Sequence, residues 1–321
     1  MQTGEKMIRI VPMKAEHIPD AVNLWKEQFV RYCYSNSFPD FTAGGLSVIN
    51  AYLKEQTEKK NAIIIKRDSD IIGYMAWMYF DFHKERTAFL PTAAHAASPH
   101  DDIRIYEEMY YHAAQKWVDD KRFNHLWMTY SDNHPLREKL YDIGFGSYVI
   151  DACQSTGVLN LSVTCDYEIS SAGLKDIEEL LAFANLSNEY YAASPVFLKR
   201  NEYSAAEITE FLKDGYILTA RDKGRIIGVM SFSLDPGYHF EHLTAADSSS
   251  IKFIGAFIHS DYRGRGIGTA LLEKVFAICR EKRKSYLHVS FETANPDAVH
   301  FWPKYFKPAI HSVRRTINKD I

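Results

Sequence analysis

Ile251 to Arg283 reads IKFIGAFIHSDYRGRGIGTALLEKVFAICREKR, three elements in a row. Phe253 to Ile258 is an apolar strand, and His259-Ser260-Asp261-Tyr262 is a polar turn. A glycine-rich loop follows, Arg263-Gly264-Arg265-Gly266-Ile267-Gly268. It runs straight into a helix with Leu271, Leu272, Val275, Phe276 and Cys279 along one face. A strand, a glycine loop and a helix in this order suit an anion. Glycines let the backbone approach it, free N–H groups at the helix start point at it, and the positive dipole end favours its charge.

Three kinds of phosphate loop share that logic. A Walker loop ends in Gly-Lys-Ser/Thr, which is absent here. A dinucleotide loop has GxGxxG early in a parallel βαβ array; here the spacing is GxGxG, far from the start of either half of the chain. The third pattern is Arg/Gln-x-x-Gly-x-Gly/Ala, and Arg263, Gly266 and Gly268 fit it in full. On these residues the sequence resembles the GCN5-related N-acetyltransferase (GNAT) family, whose loop holds the pyrophosphate of acetyl-coenzyme A. An ordinary glycine-rich turn is the other reading of the six residues; the flanking strand and helix favour the anion site.

Composition sets the frame. A length of 321 residues suggests two domains. A hydrophobic share of 46% and a charged share of 25% are those of a globular protein with a sizeable core. The net charge of −3 offers no basic field to nucleic acid. Cys33, Cys153, Cys165 and Cys279 form no CxxC pair, which reads as free thiols in a reducing compartment, with no metal site expected. No basic-then-apolar leader and no run of eighteen apolar residues occurs, so the expectation is a cytoplasmic protein without a membrane span.

The same plan is written twice. Residues 7–12 read as a strand, and Ile18, Val22, Trp25 and Phe29 mark one face of a helix over His17 to Cys33. A helix is expected near Leu46 to Gln56. Ala62 to Lys66 and Ile71 to Phe80 form a hairpin about Arg67-Asp68-Ser69-Asp70. Ala88 to Ala97 is a strand candidate, Ile105 to Val118 a helix, Leu126 to Tyr130 a strand, and Asn133 to Asp142 a helix stopped by Gly144. After Cys153 to Val163, the expected connection, a strand (Tyr167 to Ile169), a helix opened by Leu174, Ile177 and Leu181, and a hairpin about Asp222-Lys223-Gly224 repeat the order. Arg67-Asp68 with Ile71-Ile72-Gly73 echoes Arg221-Asp222 with Ile226-Ile227-Gly228. Asn133, Leu136, Leu140-Tyr141 and Gly144-Phe145 parallel Asn295, Ala298 and Phe301-Trp302. A duplicated fold follows. With the resemblance, the expected architecture is α/β (α+β): two tandem GNAT-type domains, 1–157 and 158–321, each a mixed, mostly antiparallel twisted sheet flanked by helices. No glycine occurs between Gly73 and Gly144, and Ser98-Pro99-His100-Asp101-Asp102 puts a proline and two carboxylates where an anion would sit. The first domain is therefore expected to be degenerate.

The resemblance extends to Asn295-Pro296-Asp297-Ala298-Val299-His300-Phe301-Trp302, similar to the family's Asn-x-x-Ala-x-x-aromatic-Tyr. It implies acetyl-CoA held between two splayed strands. Phe257 and Ile258 are then the backbone partners of the pantetheine. The N–H groups of Arg263, Gly264, Arg265, Gly266, Ile267, Gly268 and Thr269 take the phosphates, helped by the guanidiniums of Arg263 and Arg265. Asn295 either caps the next helix or bonds the cofactor. Trp302 stands where the family's acid tyrosine is expected, and an indole N–H is too weak an acid for that role. Tyr305, one turn on, is the candidate acid or a core aromatic. Glu292 is the first candidate base for an amine acceptor, or else a solvated strand end. His259 and Glu241 are further candidates, and His239, Glu241 and His242 read as a polar loop rather than a metal set. The basic run Arg280, Lys282, Arg283, Lys284 complements a helix end or receives a 3′-phosphate. The implied reaction is direct transfer of acetyl from acetyl-CoA to a primary amine of a small molecule or peptide. A non-catalytic acyl-CoA-binding module is the alternative, and a dinucleotide oxidoreductase is disfavoured. A tandem chain supplies an internal pseudo-dimer as a monomer, or assembles as a homodimer.

Overall fold

The structure, a computed structural model, describes residues 8–33, 38–99, 103–158, 161, 163–237 and 239–320. Met7, His100, Asp101 and Asp102, and Leu159, Asn160 and Ser162 of the expected connection, lie outside the described residues. Two compact units result. One comprises residues 1–150, 238–245 and 308–321, and the other residues 151–237 and 246–307. The sequence divides the chain at 157/158. The units instead divide at 150/151, and the C-terminal segment returns to the first.

The first half of the chain supplies β1 (Ile8–Pro12), α1 (Ile18–Tyr32), α2 (Thr42–Glu58), β2 (Ala62–Arg67), β3 (Asp70–Ala76), β4 (Met78–Phe82), β5 (Glu85–Leu90), β6 (His95–Ala97), α3 (Arg104–Asp119), β7 (Asn124–Tyr130), α4 (His134–Asp142) and β8 (Gly146–Ser155). The face predicted for α1 is buried: Ile18, Val22, Trp25 and Phe29 join the first unit's core. The expected single strand Ala88 to Ala97 is broken. Pro91, with no N–H for a ladder, precedes a 3₁₀ turn at Thr92–Ala94, so β5 pairs parallel with β7 and β6 pairs antiparallel with β3.

The second half supplies β9 (Glu168–Ser171), α5 (Ile177–Ala192), α6 (Ala205–Asp214), β10 (Gly215–Asp222), β11 (Arg225–Ser233), β12 (Ser248–Ile258), α7 (Ile267–Glu281), β13 (Tyr286–Glu292), α8 (Pro296–Phe301) and β14 (Lys307–Thr316). Strands β9 to β12 are antiparallel neighbours, and β12 runs parallel to β13. α5 and α6 cover one face, where Leu180, Phe183 and Ile208 meet Ile217, Val229 and Phe257. Gly228, next to Val229, turns toward α7 on the other face. A Cβ there would come 2.6 Å from Ile258 Cδ1 and 3.2 Å from Ile267 Cγ2. At Gly73 a Cβ would come 3.2 Å from Ile105 Cγ2, at the start of α3. The repeated Ile-Ile-Gly thus has one physical reason in both units, the close approach of a helix start to the sheet.

The last strands depart from the repeat. By sequence order β8 would finish the sheet beside β7, and β14 the sheet beside β13. Instead β14 pairs antiparallel with β7, and β8 lies next to β13. Ile310 and Val313 of β14 are buried in the first unit's core, and Asp151, on β8, opens the second unit.

Candidate functional site

Within the second unit, β12 and β13 pair only from Ser248↔Tyr286 to Ile251↔Val289. Beyond that point they diverge. β12 bends there, with Phe253 at φ +72° and Gly255 at φ +74°, and its register against β11 slips between Met230 and Phe232. The buried Ser231 hydroxyl holds the bend: it donates to Lys252 O at 2.7 Å and accepts from Gly255 N–H at 3.0 Å. A cavity of about 710 Å³ occupies the gap, lined by both strands, the glycine loop and α8.

His259 N–H donates to Ile227 O, 2.9 Å away. By strand alternation Phe257 also turns its peptide groups to β11, while Ala256 and Ile258 turn theirs to the gap. The Arg263 Nε donation to Ile258 O at 3.1 Å agrees. Of the expected pair, Ile258 therefore offers backbone groups and Phe257 offers its side chain.

The loop runs from β12 into α7. Gly264 and Gly266 take φ +75° and +77°, and Gly266 is the N-cap of α7. The first intrahelical bond runs from Ala270 N–H to Gly266 O, which leaves the N–H groups of Ile267, Gly268 and Thr269 ahead of the ladder. His259 Nδ1 accepts from Asp261 N–H at 3.3 Å and shapes the turn. The two arginines differ. Arg263 lines the cavity, pairs with Asp297 at 2.5 Å and lies 4.7 Å from the centre of the Tyr190 ring. Arg265 is absent from the cavity wall: it donates to Tyr167 Oη at 2.9 Å and to Asp261 O at 2.8 Å. Turn and tyrosine groups take those donors in this structure.

Asn295 caps α8, accepting from Ala298 N–H at 3.2 Å, and also lines the cavity. Tyr190 Oη donates to Asn295 Oδ1 at 3.0 Å and to Asp297 Oδ2 at 2.8 Å; burial, then that carboxylate, push this phenol up to about 12. Tyr305 Oη sits 2.9 Å from Thr269 Oγ1, at the anion end, while Trp302 is buried against Phe301 and Phe306. Glu292 lies three residues past the last β12–β13 pair, not at the branch point. It is bound to Arg200 at 3.1 Å, and both side chains are largely shielded. The Arg200 guanidinium stacks 3.3 Å from the centre of Tyr191. Burial, then the Glu292 charge, raise the Tyr191 phenol.

Tyr190, Tyr191, Arg200 and Ser290 line the cavity with no motif to announce them. Glu241 belongs to the first unit, where its charge helps raise the buried Tyr52 phenol after burial itself. His239 and Thr244 form a short bridge there, and no group of three or more metal-ligating side chains gathers among the described residues. Among them, too, no helix is long and apolar enough to cross a membrane.

Residues 177–306 match the model of the acetyltransferase (GNAT) family. A GCN5-related N-acetyltransferase from Sphaerobacter thermophilus aligns with TM-score 0.61 and 10% identity, covering 97% of this chain and 96% of that one. A GCN5-related glucosamine N-acetyltransferase region of a fungal multi-domain β-N-acetylglucosaminidase aligns with TM-score 0.56 and 11% identity, over 97% of this chain and 38% of that one. No curated protein matches. The family match falls on the unit that holds the splayed strands and the glycine loop, and these residues are similar to the GNAT acetyltransferases, whose fold the solved structures share.

Proposed function

We infer that the second unit is an acetyl-CoA-dependent N-acetyltransferase acting on a primary amine of a small molecule or peptide. One observation carries the reading: the gap between β12 and β13 opens onto the uncapped start of α7. The residues present fit the donor. At Gly264 nothing stands within 4 Å of an added Cβ, which leaves open space over the loop. The N–H groups from Gly264 to Thr269 would hold the pyrophosphate, with Arg263 beside them. The peptide groups of Ala256 and Ile258 would hold an extended arm in the gap. Acetyl-CoA supplies an activated acyl carbon with a good leaving group. Glu292, at the end of β13, lines the cavity beside the gap with Arg200 bound to it, and the pair would face an acceptor there.

The first unit lacks the glycine loop in sequence, so one acetyl-CoA per chain is expected. A non-catalytic acyl-CoA-binding module is the second reading. It is favoured by Trp302 at the family's tyrosine position and by the engagement of Tyr305 with Thr269. Calorimetry with acetyl-CoA and continuous detection of released coenzyme A thiol test both readings, using a diamine, an amino acid, an amino sugar and a peptide as acceptors. One site with thiol release supports the enzyme. One site without release under any acceptor supports the binding module, and two equivalent sites overturn the degenerate first unit.

A further inference from the structure

The acetyl-transfer reading leaves one step without a residue: removal of the proton from the attacking nitrogen. Glu292 is engaged by Arg200, and Tyr305 lies at the anion end on Thr269. Ser290 occupies a different position. It follows Val289, the last residue of β13 paired with β12, and so stands at the point where the gap begins. It lines the cavity and is exposed to it. Its hydroxyl donates to Asp151 Oδ1 on β8, and Asp151 is 3% exposed. A serine at the mouth of the gap is thus backed by a buried carboxylate.

We propose that Ser290 and Asp151 form the proton relay of the second unit. Ser290 touches the acceptor, and Asp151 acts through it as a positioning residue and proton store. Side chains alternate along β13, so His288, Ser290 and Glu292 share one face. Two residues of strand span about 6.7 Å, room for an acceptor that lies along β13 toward the Arg200–Glu292 pair to present its nitrogen to an acyl carbon beside Ser290. In the step, the lone pair of the acceptor nitrogen, bound as the neutral amine, bonds to the acetyl carbon and the carbon–sulfur bond breaks, its electron pair leaving on sulfur. The nitrogen gives a proton to Ser290 Oγ as Ser290 gives its own to Asp151 Oδ1, and that proton then passes to the coenzyme A thiolate or solvent. Charges balance with no further reactant. The other groups on this face are His288, which contacts Ser248 Oγ at 3.2 Å and Cys153 Sγ at 3.6 Å, and the Arg200–Glu292 pair. The Cys153 thiol is pushed up by burial and remains protonated beside the relay.

The inference rests on the proposed acetyl transfer, and the test separates the two. Full-length wild type, Ser290→Ala, Ser290→Thr, Asp151→Asn and the double variant Ser290→Ala/Asp151→Asn are assayed with whichever amine of the panel turns over fastest. Acetyl-CoA affinity is measured by calorimetry on each. The relay requires kcat to fall by roughly 10²-fold or more in Ser290→Ala and Asp151→Asn, with acetyl-CoA affinity unchanged. Ser290→Thr, which keeps the hydroxyl, should retain activity within a few-fold. The double variant should lose no more than either single one, because the two residues act as a unit. Should Asp151→Asn fail to fold, the Ala and Thr variants at the cavity-facing Ser290 decide alone. Wild-type turnover in Ser290→Ala overturns the relay and leaves acetyl transfer standing. Absence of thiol release from wild type overturns both.

Discussion

Gly266 adopts φ +77°, where an L side chain is strained, and a Cβ there would point at Val163 Cγ1, 3.6 Å away, and Thr164 O, 3.8 Å away. There is space for the atom but not for the conformation. Gly266→Val should therefore cost about 1–2 kcal/mol of backbone strain. It should also weaken acetyl-CoA binding by about tenfold or more in calorimetry, since relaxing φ re-aims the N–H groups of the α7 start. Two histidines set a second expectation. Burial lowers His95 and His125 from 6.5 to about 4. The unfolded chain gains these protons near pH 6.5 and the folded chain only near pH 4. Their contribution is complete above 6.5 and is lost as pH falls from there to about 4. At 1.36 kcal/mol per unit, each ring contributes at most roughly 3 kcal/mol. Urea melts of the full chain, followed by the tryptophans against these rings, Trp127 and Trp117, should show the loss between about pH 6.5 and about pH 4. His95→Phe should flatten that slope. At this scale the sequence put forward Arg263, Gly266 and Asn295 by motif spacing and Glu292 by its place at the end of a strand. It did not announce that Arg265 would be spent on Tyr167, or Glu292 on Arg200, because a side chain's partner is set by which elements lie next to it.

The bend in β12 positions the site. Its apolar run was legible as a strand, but two positive-φ residues, one of them Phe253, interrupt it. What stabilises that conformation is Ser231 on the neighbouring strand. Ser231→Ala should leave the half-buried Gly255 N–H without this partner. The expected loss is about 1 kcal/mol in urea denaturation. Acetyl-CoA affinity should weaken by several-fold as the wall of the gap relaxes. In the first unit the sequence runs Ala88 to Ala97 together as one strand. Pro91 ends β5, and after a 3₁₀ turn the chain joins a different sheet as β6. The helices were the most readable elements, since their buried faces follow from spacing alone: Leu271, Leu272, Val275, Phe276 and Cys279 are all buried in α7.

At the scale of the whole molecule, the two halves of sequence and the two compact units differ by their final strands. A fragment of residues 158–321 lacks Asp151 and the rest of β8, and it carries β14, with Ile310 and Val313, away from β7. That fragment should be unfolded or aggregated, with poor amide dispersion in NMR; a folded, monomeric fragment would refute the strand exchange. The sequence by itself determined the repeated Ile-Ile-Gly pattern, the buried helix faces and the glycine loop, because these depend on local periodicity and on backbone conformations only certain residues adopt. Tertiary structure alone decided that β14 lies beside β7 and β8 beside β13, and with it the meeting of Asp151 and Ser290, 139 positions apart. The reason is physical. The edge of a sheet offers the same unpaired N–H and C=O groups to either apolar strand, so nothing local in β8 or β14 names its partner.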